Sequence, residues 1–503
     1  MKIDPIRGFF SIFSSNLARL LLGLAITPLL VRVLGSASYG DYAFLLSLLG
    51  ISMILVNAGI TDGIRKFVAE DPDSPDWANA VFGFYLKLGV VLAGGGALLF
   101  VVANVSGVTA SVLGGTFVPF LYLLAVLIVA RQGLSIVRSS LMGKGLEHIS
   151  EPLRAIEKLL FGVFGVSLAY IGFDVSGVLA GHIIGVGVVL LVGTYFLSVH
   201  YDLSAGIRPL SGDVPARELL TFNANSIVLI LLTASLYHID IILLQTLVDS
   251  EATGLYKAAL IVAEFLWFVP FALQLVLLHS ASELWAQGRI EEVSEIASRA
   301  ARYTLFFTLL LTIGIAALAE PFVRLYFGTP FTPAVLPLVL LLPGALGFAI
   351  ARPIFAIGQG RGKLRPLIVA TGAAASINLV LNLALIPRFG MAGAAVATSI
   401  GYSSMLVFHV MAARSIGYNP TADLRVVRIG ITGVVAATVI FPLTLATGPT
   451  LVSLLVVPPI GFAVYMYAGL RIRAIDPGEL IQLAEMLPDA LRVHSVRLIR
   501  IIG

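Results

Sequence analysis

Three cations, Arg19, Lys87 and Arg131, fall inside long apolar runs of this 503-residue chain. A charge at the centre of a membrane helix costs roughly 2.5–3.5 kcal/mol, so one placed there marks either a pathway or an internal ion pair. Each lies some eight to fourteen residues from the basic end of its run, about 12–20 Å deep at the helical rise. Buried cations of this kind would hold an anion; the competing reading pairs them with a carboxylate such as Asp62 or Glu157. Arg138 and Arg352 are shallower, within snorkelling reach of the interface.

The second half carries different chemistry. Asp240 and Glu264 are its deep acids, with Lys257 nearer the opposite end of its helix. Asn378 and Asn382 are four residues apart, so their amides share one helical face, and Asp240, Asn382 and Thr398 are predicted at similar depth on three helices. A carboxylate, two amide oxygens and a hydroxyl form an oxygen-only set suited to Na+, and a lone carboxylate suits a proton as well. The alternative pairs Asp240 with Lys257 and leaves the amides as interhelical glue.

Other chemistry is excluded. The chain has no cysteine, and its seven histidines are scattered without zincin spacing. Gly143-Lys144-Gly145 lacks the spacing of a nucleotide-binding loop. The net charge of +4 is spread over short loops rather than clustered, which argues against a nucleic-acid partner.

The elements that must position these residues are membrane helices. Hydrophobic residues make up 58% and charged residues 12% of the chain, about half the charged share of a soluble domain. Apolar runs of about twenty residues predict fourteen spans. Lys and Arg concentrate in alternate loops, from Lys2 and Arg7 to Arg471 onward, which places both termini in the cytoplasm and the protein in the cell membrane. The opposite loops are too short to house a catalytic domain. Residues 1–200 read as a first lobe of six helices, 201–218 as a polar linker and 219–414 as a second six-helix lobe. Residues 415–473 then hold helices thirteen and fourteen. The tail, 474–503, places Leu480, Leu483, Leu487 and Leu491 on one face, with a break at Pro488 and then Arg492, Arg497 and Arg500, a pattern for either a helix lying on the inner leaflet or an ordinary solvated end.

The two lobes are copies. Gly40 and Tyr42 match Gly254 and Tyr256 at an offset of 214, as Glu151-Pro152-Leu153 matches Arg365-Pro366-Leu367 and Arg138 matches Arg352. Gly177 and Gly185 match Gly393 and Gly401 at 216. A near-constant offset predicts two parallel repeats about an axis along the membrane normal, a known transporter plan.

With these residues in place the chain resembles a known family. The stretches NLARLLLGLAITPLLVRVLGSASYGDY from Asn16, ATGLYKAALIVAEFLWFVP from Ala252 and the 364–401 hairpin look like the Wzx-type polysaccharide repeat-unit flippases. These belong to the multidrug/oligosaccharidyl-lipid/polysaccharide (MOP) exporter superfamily, with the lipid II flippases and the MATE exporters. The resemblance implies an all-α polytopic protein of two six-helix lobes that alternate access to a central cavity. It implies a polyprenyl phosphate- or pyrophosphate-linked glycan as cargo, moved outward among membrane lipids and passed to glycan polymerisation or transfer machinery. Arg19, Lys87 and Arg131, with Asn16 and Asp62, are then the expected substrate-binding residues. Asp240, Asn378, Asn382 and Thr398 match the helices and ligand types of a Na+ site in lipid II flippases, except that Asn382 stands where an acid is expected. Glu264 is a further candidate for coupling, and no cofactor besides Na+ or H+ is implied. Helices thirteen and fourteen are the expected wall of a lipid-tail groove. The runner-up readings are a cation-coupled multidrug exporter, whose cavity should be anionic, a polytopic glycan polymerase or ligase, and a structural membrane protein.

Overall fold

A computed structural model describes residues 5–70, 74–208, 216–485 and 492. These are helical with no strand among them, and eleven helices are long and apolar enough to cross a membrane. The eleven differ from the fourteen expected spans by three, and three of them are far longer than one crossing: Ser14–Glu70, Glu147–His200 and Leu364–Ile416, of 57, 54 and 53 residues. A straight helix of that length would reach about 80 Å, well over twice a hydrocarbon core. Each is broken at a glycine of positive φ: Gly35 (72°), Gly172 (102°) and Gly390 (54°).

The glycines that follow two of these breaks show the chain folding back. A Cβ on Gly177 would stand 2.8 Å from the carbonyl carbon of Leu168, and one on Gly393 would stand 2.4 Å from the Leu385 oxygen. Residues eight or nine apart in a straight helix are separated by about 12 Å, so only a reversal brings them together. The matched glycines at offset 216 therefore do the same work, letting backbones meet where no side chain fits.

The chain divides into two compact units, Met1–Gly254 and Leu255–Gly503. The first contains α1 (Pro5–Asn57), α2 (Ile60–Glu70), α3 (Pro75–Val105), α4 (Val108–Val112), α5 (Val118–Gly143), α6 (Glu147–Leu168), α7 (Asp174–His200) and α8 (Ala216–Leu247). α9 (Ser250–Glu264) begins in this unit and continues into the next. The boundary falls later than the 201–218 linker because α8 and the start of α9 pack on α1. A Cβ on Gly40 would sit 1.8 Å from the Ser250 oxygen, and one on Gly254 would sit 1.9 Å from the Ser36 oxygen. Ser36 and Gly40 are related to Ser250 and Gly254 by the offset of 214, so the contact is reciprocal. Asp41 closes it by accepting from Ser250 Oγ at 2.5 Å and Gln245 Nε2 at 2.9 Å. The linker's Pro209, Gly212 and Pro215 lie outside the described residues.

The second unit contains the rest of α9, then α10 (Phe268–Ala286), α11 (Ile290–Tyr326), α12 (Val335–Gly360), α13 (Leu364–Ile416), α14 (Val426–Thr447), α15 (Leu451–Arg471) and α16 (Pro477–Glu485). α16 is held to α11 by buried Arg302, which pairs with Asp423 and donates to Glu479 Oε1 at 2.6 Å, while Tyr303 Oη donates to Glu479 Oε2 at 2.6 Å. Of the expected amphipathic tail, Leu480 is buried. Leu487, Pro488, Leu491, Arg497 and Arg500 lie outside the described residues, as do the side chain of Leu483 and the N-terminal Lys2.

Candidate functional site

The first unit's polar cavity forms where a helix breaks. α1 ends at Asn57 and α2 begins at Ile60; between them Ala58 and Gly59 take φ of 44° and 76°. Alanine in that region is strained, and such strain collects at functional sites. The break aims Asn57 and Thr61 at Ser135 of α5: Asn57 Nδ2 donates to Thr61 Oγ1 at 2.7 Å and Ser135 Oγ at 3.2 Å. Around this trio opens a cavity of about 440 Å³ lined also by Asp62, Arg131, Arg138, Glu157, Ile227 and Ile230.

The two arginines there differ. Arg138 is committed: Nη2 donates to Glu151 Oε1 at 3.1 Å and Nε to the Ser150 carbonyl at 3.3 Å. Glu151, buried, also takes Arg154 at 3.3 Å. Arg138 thus forms a buried ion pair rather than snorkelling. Arg131 has no ion pair with Asp62, Glu157 or another carboxylate among the described residues, and its buried Nε has no hydrogen-bond partner there. Its Nη2 reaches His182 Nδ1 at 3.4 Å.

Arg131 and Asp62 are thus brought together at this cavity, and the remaining predicted residues are not. Lys87 is tied down elsewhere: its Nζ donates at 3.1 Å to the carbonyl of Ala205, in the turn that folds over α3. Arg19 Nη1 donates to Asn16 Oδ1 at 3.4 Å, with Arg154, Glu151 and Glu157 as its charged neighbours. Sequence reasoning missed two members of this region. Lys158 has Arg19, Glu157 and Arg131 as charged neighbours, and its Nζ lies 5.0 Å over the Phe161 ring. His182 is the other, a histidine within the apolar stretch of α7; its position at offset 216 from Thr398 was the readable signal.

In the second unit Asn378, Asn382 and Thr398 are fully buried and together. Asn378 Nδ2 donates to Thr398 Oγ1 at 3.3 Å, Tyr256 Oη donates to the same hydroxyl at 3.2 Å, and Asn382 Nδ2 donates to the Asn378 carbonyl at 2.9 Å. The Oδ1 atoms of both asparagines are buried without a hydrogen-bond donor among the described residues. Orphaned amide oxygens fit a hard cation. Asp240, the fourth expected ligand, belongs to the first unit, where it is buried and its Oδ1 accepts from the Ile241 N–H at 2.8 Å. Lys257 stands 4.0 Å from Glu264, which takes up that acid. Arg352 is buried and stacks on Phe271 and Phe348 with ring centroids 4.3 and 4.2 Å away, so it does not snorkel either.

The second unit also holds an apolar pocket of about 570 Å³ among α9, α11, α14 and α15, lined by Leu311, Ile315, Phe322, Leu454, Val457 and Phe462 among others.

Residues 29–336 match the profile of the family described as polysaccharide biosynthesis protein. Among curated proteins the chain is similar to the probable low-salt glycan biosynthesis flippase Agl15 of Haloferax volcanii, 21% identical over 81% of this chain and 83% of that one. Among solved structures it is similar to the lipid II flippase MurJ in its inward closed conformation, with TM-score 0.74, 15% identity and coverage of 93% of this chain and 99% of that one. It is also similar to an inward-facing multidrug resistance MATE family transporter of the MOP superfamily, with TM-score 0.66, 17% identity and coverage of 79% and 94%. These two likenesses establish the fold.

Proposed function

The chain belongs to the polysaccharide biosynthesis protein family, and from that premise we propose that it is a flippase carrying a polyprenyl phosphate- or pyrophosphate-linked glycan from the cytoplasmic to the outer leaflet. The observation that carries this reading is Arg131, a guanidinium in a cavity within apolar helices with no carboxylate partner among the described residues and a buried Nε left over. A guanidinium in that condition suits a phosphate, which accepts charge-assisted hydrogen bonds from several N–H groups. The other lining groups suit sugar: Asp62 and Glu157 accept from hydroxyls, and the Asn57–Thr61–Ser135 trio both donates and accepts. The apolar pocket between α11, α14 and α15 supplies a surface for the polyprenyl chain.

Fourteen crossings, two lobes related by a pseudo-two-fold and cytoplasmic termini belong to the same proposal. So does coupling to Na+, H+ or the membrane potential. Asn378, Asn382 and Thr398 would offer a cation their oxygens, and the buried carboxylate of Asp240 would respond to a cation or proton in the first unit. A bound cation shifts the balance of two packings only by its differential affinity for them.

The test is transport in proteoliposomes of a polyprenyl diphosphate carrying one labelled sugar. Wild type should flip it and Arg131→Ala should flip it about a hundredfold less well, with both proteins recovered from the membrane in equal amounts. Transport of a lipophilic cation instead would favour a multidrug exporter that uses Asp62 and Glu157.

A further inference from the structure

His182 on α7 is buried at 7% exposure, and the groups around its ring dictate its protonation pattern. Its Nε2 lies 2.9 Å from Tyr42 Oη and its Nδ1 lies 3.4 Å from Arg131 Nη2. Its face stacks on Phe161 with centroids 3.7 Å apart and planes 14° from parallel. Arginine can only donate, so Nδ1 must be the acceptor. The ring's single proton is then on Nε2, directed at the Tyr42 oxygen. Arg131 fixes the tautomer, Tyr42 Oη accepts from the Nε2–H, Phe161 fixes the plane, and the imidazole offers one lone pair to one guanidinium N–H.

The duplication provides an internal control. Tyr42 corresponds to Tyr256 at offset 214, and His182 to Thr398 at offset 216. The second unit keeps the contact, since Tyr256 Oη donates to Thr398 Oγ1 at 3.2 Å. What it lacks is the arginine: the residue 214 after Arg131 is Ala345. The tyrosine contact belongs to the duplicated frame, whereas histidine stands only where there is a guanidinium to hold.

We infer that His182 is a positioning residue that holds the Arg131 guanidinium toward the phosphate of the lipid-linked glycan, with Tyr42 accepting from the Nε2–H of the tautomer this requires. The inference rests on the flippase reading above. An arginine otherwise carries large rotamer freedom that must be lost on each binding event, and a preformed acceptor removes that loss in advance. The expected consequence of losing it is weaker cargo binding rather than slower turnover of bound cargo.

The experiment measures half-saturating concentration and maximal rate in proteoliposomes, with the same labelled polyprenyl diphosphate-linked sugar as probe, for five variants. His182→Phe keeps the stacking and removes the acceptor; it should raise half-saturation roughly tenfold, the loss of a hydrogen bond to a charged group, with the maximal rate within twofold. His182→Asn places an amide oxygen near the Nδ1 position and should recover most of the affinity. His182→Gln, whose amide reaches the Nε2 position, should not. Arg131→Ala should lose more than any of them, and adding His182→Phe to it should do nothing further. The positioning role is overturned if His182→Phe binds normally while Arg131→Ala does not, if Asn is no better than Gln, or if the two losses multiply. Should His182→Phe fail to fold, the Asn and Gln pair decides alone. Normal binding by Arg131→Ala would overturn the phosphate reading itself, and the role of His182 with it.

Discussion

Tyr42 meets His182 in the first unit and Tyr256 meets Thr398 in the second, at positions matched in the sequence by offsets of 214 and 216. The tyrosine was kept and its partner diverged, and each partner joined different chemistry. His182 faces Arg131, whose spare donors suit an anion; Thr398 faces Asn378, whose orphaned oxygen suits a cation. The matched arginines diverged as well. Arg138 keeps a buried carboxylate, Glu151, whereas at offset 214 that carboxylate becomes Arg365, and Arg352 stacks on two aromatic rings instead. The matched positions keep the places where backbones and tyrosines pack, while the polar residues beside them differ between the two units.

The largest expected effect comes from removing the anion side of that contrast. Arg131→Ala should reduce glycan-lipid transport about a hundredfold or more, since several charge-assisted bonds go together. Arg131→Lys should retain part of the activity because a point charge replaces a fork. Next, Glu151→Ala strands Arg138 and Arg154 beside a buried gap, and breaking such a pair destabilises by about 3–5 kcal/mol. Thermal unfolding in detergent should show it as a clear drop, which Arg365→Ala at the matched position should not reproduce. Gly40→Ala puts a methyl where the Ser250 carbonyl stands, and its expected cost is about 1–3 kcal/mol. Gly254→Ala should match it because the contact is reciprocal; unequal effects would break that reciprocity. On the cation side, Asp240→Asn should leave transport without response to imposed Na+ or H+ gradients. If wild type already ignores both gradients, the second-unit cluster is structural. The smallest effect is that of Tyr256→Phe, which removes the hydrogen bond to Thr398 and should lower stability by about 1 kcal/mol.

Much of this was legible in the sequence because close backbone contacts leave a strict trace. Gly40, Gly177, Gly254 and Gly393 all lie where a Cβ would collide with backbone, so each must stay glycine and the offset survives. The Asn378–Asn382–Thr398 cluster was legible for a related reason, since spacing of four on a helix fixes a shared face. Depth along a helix, by contrast, does not give azimuth. Lys87 was expected to line a pathway, and its Nζ donates to the Ala205 carbonyl. Arg19 likewise lies beside α6 charges rather than in the cavity lining. The cavity itself depends on the break at Ala58–Gly59, which an apolar run with one glycine does not announce. Glu151 read as a marker of the repeat, and its burial against Arg138 could not be seen until α5 and α6 were packed.

The central claim is that the first unit's cavity recognises phosphate through Arg131, and the most direct test is competition. Flipping of the labelled polyprenyl diphosphate-linked sugar would be measured against two unlabelled competitors, the diphosphate-linked lipid and a phosphate-free polyprenyl glycoside with the same sugar. The diphosphate lipid should compete at least tenfold better in wild type, and that preference should disappear in the residual transport of Arg131→Lys. Equal competition by the two lipids in wild type, or a preference unchanged by the substitution, would contradict it.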